Sequence, residues 1–278
     1  MPDRIGRLTL AMIAVLGLGP AGGGATQHRL PGQIIDVVAD NYFFYAPETV
    51  KPGLTTFRLH SPHGGHEMRI VRLDSAHTPL DLFTAMRAGK PAPWATTLGG
   101  PAFPPAGGTA NVSVVLEPGR YALFCLVHAA DGEEHYRKGM FTGFSVPSGP
   151  RIRGSLPTPD VVVTMLDSTF EFSIPISAGR KVLRVVNAGT GPHEFKVRRV
   201  LPRFTVEDAL AWKRGSRKPK PDVDFGAVGL AAGTSIITTM NFTPGDYLIV
   251  CVIQVKHGMI QAMRVARGRL AHSVTSND

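Results

Sequence analysis

The feature that most constrains the fold of this 278-residue chain is an internal repeat of long period. The first copy runs His66-Glu67-Met68-Arg69-Ile70-Val71-Arg72, then Glu117-Pro118-Gly119-Arg120-Tyr121-Ala122-Leu123-Phe124-Cys125, then His135 and Gly139-Met140. The second runs His193-Glu194-Phe195-Lys196-Val197-Arg198-Arg199, then Pro244-Gly245-Asp246-Tyr247-Leu248-Ile249-Val250-Cys251, then His257-Gly258-Met259. His66 and His193 stand 127 positions apart and Cys125 and Cys251 stand 126 apart, so the copies differ mainly in the loop after the cysteine. That period is far longer than a solenoid unit and matches a domain of roughly 100–150 residues. Two tandem domains are expected, at 33–147 and 160–267, each with its own core. A linker rich in proline and glycine at 148–159 joins them, and 268–278 is a tail.

Both copies are strand-rich. Residues 34–38, 55–60, 68–73, 111–116, 119–127 and 140–146 are β-branched or aromatic runs separated by Gly, Pro, Asn and Asp, and so are 161–166, 181–187, 195–200, 235–242, 246–252 and 259–265. Short strands at this spacing predict an all-β chain of two tandem Greek-key β-sandwiches. Each copy carries a short helical insertion between its histidine strand and its cysteine strand, at 79–88 after Thr78 and at 205–212. Tyr121 and Tyr247 are expected to fill the core or to form tyrosine corners.

The first residues fall outside both copies. Arg4 and Arg7 precede an apolar run from Leu8 to Leu18, closed by Pro20 and a Gly/Ala stretch to Ala25. This is the order of a secretory signal, so 1–25 is read as a signal peptide and the protein as periplasmic or secreted. The run is shorter than the roughly 20 residues of a spanning helix, and no other segment is long and apolar enough to cross a membrane. The whole chain has a formal net charge of +9. Its one dense basic run, Lys213 to Lys220, is read as a solvated loop, because no nucleic-acid-binding motif accompanies it.

Two cysteines in an exported chain would ordinarily form a disulfide. Here they occupy equivalent places in two repeats, and a bridge would need their Cα atoms within about 7 Å. A functional thiolate in each copy, or two buried thiols, fits the pattern better. A thiolate, two imidazoles and a weak thioether together suit copper, which takes a trigonal His₂Cys site with a long axial Met.

At these residues the chain resembles the cupredoxin family, over essentially all of both copies. The resemblance rests on Gly189-Thr190-Gly191-Pro192-His193 before the leading histidine, on the Pro-Gly-x-Tyr-x-x-x-Cys segments at 118–125 and 244–251, and on the His-x₄-Met spacing of His135 and Met140. It implies a type 1-like copper site in the first domain made of His66, Cys125, His135 and Met140. His128 competes with His135 as second imidazole, since Cys-x₂-His is the plastocyanin-like spacing, whereas the gap from Cys125 to His135 is close to the long loop of copper nitrite reductases. The corresponding set in the second domain is His193, Cys251, His257 and Met259. There Gln254 stands where the shorter loop places its histidine, so the site is read as degenerate or as holding another metal. Glu67 and Glu194 follow the leading histidines, where a carboxylate either orients the ligand or faces solvent. His63 and His128 are otherwise surface residues.

Two-domain cupredoxins that are enzymes carry a further copper site, marked by a histidine before the type 1 cysteine or by paired His-x-His motifs. Phe124 and Val250 precede the cysteines here, and no His-x-His occurs. The expectation is therefore a non-enzymatic exported protein with one copper per chain, acting in single-electron transfer with a redox partner protein or in copper holding. The alternative is a metal-free sandwich that binds or scaffolds.

Overall fold

A computed structural model describes residues 30–213, 222–253 and 259–266. The segment read as a signal, the tail at 268–278, most of the basic run after Lys213, and both Gln254 and His257 lie outside them. The first half of the chain contains β1 (Gln33–Asp40), β2 (Phe43–Tyr45), β3 (Gly53–Ser61), β4 (Arg69–Leu73), α1 (Pro79–Arg87), β5 (Ala95–Gly99), β6 (Pro101–Ala102), β7 (Gly108–Leu116), β8 (Gly119–Phe124) and β9 (Phe141–Val146). The second half contains β10 (Val161–Met165), β11 (Phe170–Phe172), β12 (Gly179–Asn187), β13 (His193–Val200), α2 (Val206–Lys213), β14 (Asp222–Leu230), β15 (Ser235–Phe242), β16 (Gly245–Val250) and β17 (Ile260–Val265). The stretches expected to be strands are strands. Those leading to the cysteines end one residue before them, at Phe124 and Val250.

The strands form two layers, each shared by both halves. One sheet has the order β11-β10-β12-β15-β7-β3-β1-β2 and the other β17-β16-β13-β14-β5-β4-β8-β9. In each half the first strand runs parallel to the third, Gln33 opposite Thr55 and Val161 opposite Leu183, while the remaining pairings are antiparallel. This is the Greek-key arrangement in which a strand crosses between layers. The halves join edge to edge, β7 to β15 at Ser113 and Ile237, and β5 to β14 at Leu98 and Leu230. One apolar cluster of buried residues runs from Val37, Phe57 and Tyr121 to Leu183, Phe195 and Tyr247. Each large side chain fully buried in it contributes about 1.5–3 kcal/mol relative to exposure.

Local chemistry repeats with the topology. Thr78 accepts from the Asp81 N–H while Asp81 accepts from the Thr78 N–H at 2.7 Å, a capping box with Pro79 in the first turn. Thr205 and Asp208 do the same ahead of α2. Tyr121 and Tyr247 are tyrosine corners, each donating its hydroxyl at 2.7 Å to a carbonyl four residues upstream, Glu117 and Thr243.

Candidate metal centre

Where β8 ends, Cys125 leaves the sheet but keeps its backbone tied. Its N–H donates to the Met140 carbonyl at 3.2 Å and its carbonyl accepts from Tyr136 at 3.0 Å. The loop from Leu126 to Glu134 returns through a 3-10 turn, His135–Lys138, whose first N–H donates to Val127 at 2.8 Å. Gly139 then closes the turn at φ 116°, a left-handed conformation that glycine adopts without strain, and delivers Met140 into the interior. His66 enters from the loop before β4, the strand that pairs with β8.

These elements bring His66, Cys125 and His135 together. One donor atom from each lies within 4.8 Å of the others, all three residues are buried, and no other such group of three occurs among the described residues. Cys125 Sγ is 3.6 Å from His135 Nδ1, which is 3.2 Å from His66 Nδ1. Met140 is fully buried in the same apolar cluster as Cys125. His135, and not His128, stands beside the thiol; His128 is exposed, as is His63.

Burial sets the charge state. It pushes the Cys125 thiol up to about 12, with the Glu67 carboxylate adding to the effect, while backbone N–H groups of Glu67 and Val127 point at the sulfur and oppose it. Burial, followed by the neighbouring His66, brings His135 down to about 4, and burial lowers His66 as well. The pocket thus favours two neutral imidazoles and a protonated thiol, and a soft cation that displaced the thiol proton would supply the charge the thiolate lacks. The donor set fits copper: two nitrogens and one sulfur, with the thioether of Met140 buried in the same cluster as the cysteine.

The second half builds part of the same arrangement. Cys251 Sγ is 3.6 Å from His193 Nδ1 and accepts from the Glu194 N–H at 3.4 Å. The Cys251 N–H donates to the Met259 carbonyl at 3.1 Å, repeating the Cys125 to Met140 bond, and Met259 is fully buried. His257 lies outside the described residues. Both cysteines are buried and neither is in a disulfide.

Three features were not anticipated. Glu67 and Glu194 do not face solvent. They are almost wholly buried, where Arg69 donates to Glu67 at 2.9 Å and also to Glu194, and Lys196 Nζ lies 3.2 Å from Glu67 and 3.4 Å from Glu194. Burial opposes ionisation of Glu67, but the charges of Arg69 and Lys196 outweigh it and hold its carboxyl low. Tyr42, at a left-handed φ of 62°, sets its ring edge-on to His135 with centroids 4.7 Å apart. Asp167 reaches His193 at 3.1 Å. The charge quartet was visible as His-Glu-x-Arg beside His-Glu-x-Lys, whereas nothing in the sequence points Tyr42 at His135.

The sequence matches no family model and no curated protein. Among solved structures, auracyanin from Roseiflexus castenholzii covers 42% of this chain and 98% of its own at 19% identity, with a TM-score of 0.29. Copper nitrite reductase from Nitrosomonas europaea covers 84% and 93% at 16% identity and TM-score 0.25, and a blue copper oxidase from the same organism covers 84% and 85% at 12% and 0.24. By the strand order and the parallel first pair established above, the chain is an all-β protein of two tandem Greek-key β-sandwich halves.

Proposed function

We propose that this is an exported copper protein that passes single electrons, or holds copper, through one mononuclear site in its first half. The observation that carries the reading is the convergence of His66, Cys125 and His135, buried and within 4.8 Å of one another. His66 and His135 would each present Nδ1, Cys125 its thiolate, and Met140 a weakly binding thioether sulfur. Copper held there would supply a one-electron couple. The protein's part is to fix the donors from a rigid strand end and a turn hydrogen-bonded back to it, so that both oxidation states meet nearly the same geometry. Tyr42 and the buried apolar cluster limit water at the site. The export step rests on residues 1–25 alone.

The second half is read as a departed copy rather than a second working centre. His193 Nδ1 stands 3.6 Å from Cys251 Sγ there, and the reading rests on Gln254, which occupies the position where the shorter loop carries its histidine. Metal analysis of the mature protein separates the readings. We expect one copper per chain in wild type and in Cys251→Ser, and none retained in Cys125→Ser. Copper-free protein after loading, with Cys125 open to alkylation, would support the metal-free alternative.

A further inference from the structure

Each leading histidine has an aspartate at the same place in its copy. Asp40 closes β1 and Asp167 follows β10, and the two stand 127 positions apart, as His66 and His193 do. In the second half Asp167 Oδ1 lies 3.1 Å from His193 Nε2. Thr190 steadies the carboxylate, its N–H donating to Oδ1 at 2.8 Å and its hydroxyl to Oδ2 at 3.0 Å. An ionised carboxylate only accepts, so this bond places the proton on Nε2 and leaves the lone pair on Nδ1, 3.6 Å from Cys251 Sγ. Gly189 marks the seat of the pair. A Cβ there would stand 2.4 Å from His193 Nε2 and 2.5 Å from Asp167 Oδ1, so the contact requires glycine.

The first half shows the same acceptor with its donor missing. Asp40 Oδ1 is buried and accepts no hydrogen bond, and the exposed His63, at the position equivalent to Thr190, keeps its Nε2 3.7 Å away. A buried acceptor without a donor is unfavourable, so such an atom calls for a partner.

We infer that Asp167 and Asp40 are positioning residues, each accepting the Nε2–H of the leading imidazole and thereby holding its Nδ1 unprotonated and turned toward the cysteine. The copper side of this inference rests on the proposed function, but the tautomer it predicts exists without metal. With copper bound, a charged acceptor behind His66 makes the imidazole more basic and favours the oxidised ion.

Two-bond ¹H–¹⁵N correlations on metal-free mature protein labelled at histidine read the tautomers directly. Wild type should show His66 and His193 as Nε2–H forms. Asp167→Ala and Gly189→Ala should mix the His193 tautomers, Asp40→Ala should mix those of His66, and Asp167→Asn and Asp40→Asn, whose amide oxygen still accepts, should keep them. In the copper-loaded protein Asp40→Asn should raise the reduction potential, and Asp40→Ala should weaken copper binding about 10–100-fold. Nδ1–H forms in wild type, or tautomers indifferent to the alanine variants, would overturn the inference. The predicted tautomers in a protein that takes up no copper would sustain it while removing the proposed function.

Discussion

At the scale of single residues, burial holds His66, Cys125 and His135 neutral. His135 is brought down to about 4 and Cys125 pushed up to about 12, in both cases chiefly by loss of water. In the unfolded chain histidine charges near its ordinary pKa of about 6.5 and the thiol ionises near 8.5, so the unfolded state gains a proton first in acid and loses one first in alkali. Metal-free protein is therefore most stable between these values. Its stability falls as pH drops from about 6.5 toward 4, by about 3 kcal/mol for His135 alone, and falls again above about 8.5. Urea denaturation across pH should show both limbs, and His135→Gln should flatten the acid one; an acid limb unchanged by that substitution would contradict the assignment. These residues were largely legible beforehand. The family resemblance implied His66, Cys125, His135 and Met140, with His135 favoured over His128 by its four-residue gap to Met140, and the loop supplies the physical reason: its N–H bonds turn His135 inward and leave His128 in solvent.

Secondary-structure elements place these residues, and their own chemistry predicts which changes reach the site. Gly139 holds φ 116° at the end of the turn that carries His135 and leads into Met140. Gly139→Ala should cost about 1–2 kcal/mol in strain and weaken copper binding with it. Thr78→Ala removes a cap at the far end of α1 and should cost about 1 kcal/mol while leaving the copper spectrum untouched. Chemical denaturation and metal titration of the two variants test this contrast, and equal effects on copper would contradict it. Strands with β-branched alternation, such as β1 and β12, could be read from the sequence. β2 and β11 could not, being three residues each, and β14 carries Gly226 and Gly229 within its run. Such strands form because neighbours pair with them, a tertiary effect that local propensity does not record.

Across the whole molecule, strands of both halves pair within each sheet, and four buried charges lie where the halves meet. The reading that put Glu67 on a solvent face assumed a sheet covered on one side only; the start of β4 and all but one position of β13 are buried, so alternation there carries no outward face. Arg69→Met should destabilise by about 3–5 kcal/mol, because Glu67 and Glu194 would then share Lys196 alone. Replacing all four charges by apolar residues of similar volume should recover most of that loss, and calorimetry should show a single transition in wild type because the core is continuous. Two separate transitions would contradict a shared core. The most direct test of the central claim is the visible spectrum of mature protein given Cu(II). An intense Cu(II)–thiolate charge-transfer band is expected at one copper per chain, retained in Cys251→Ser and abolished in Cys125→Ser; no band, or a band that survives loss of Cys125, would contradict a copper site at Cys125.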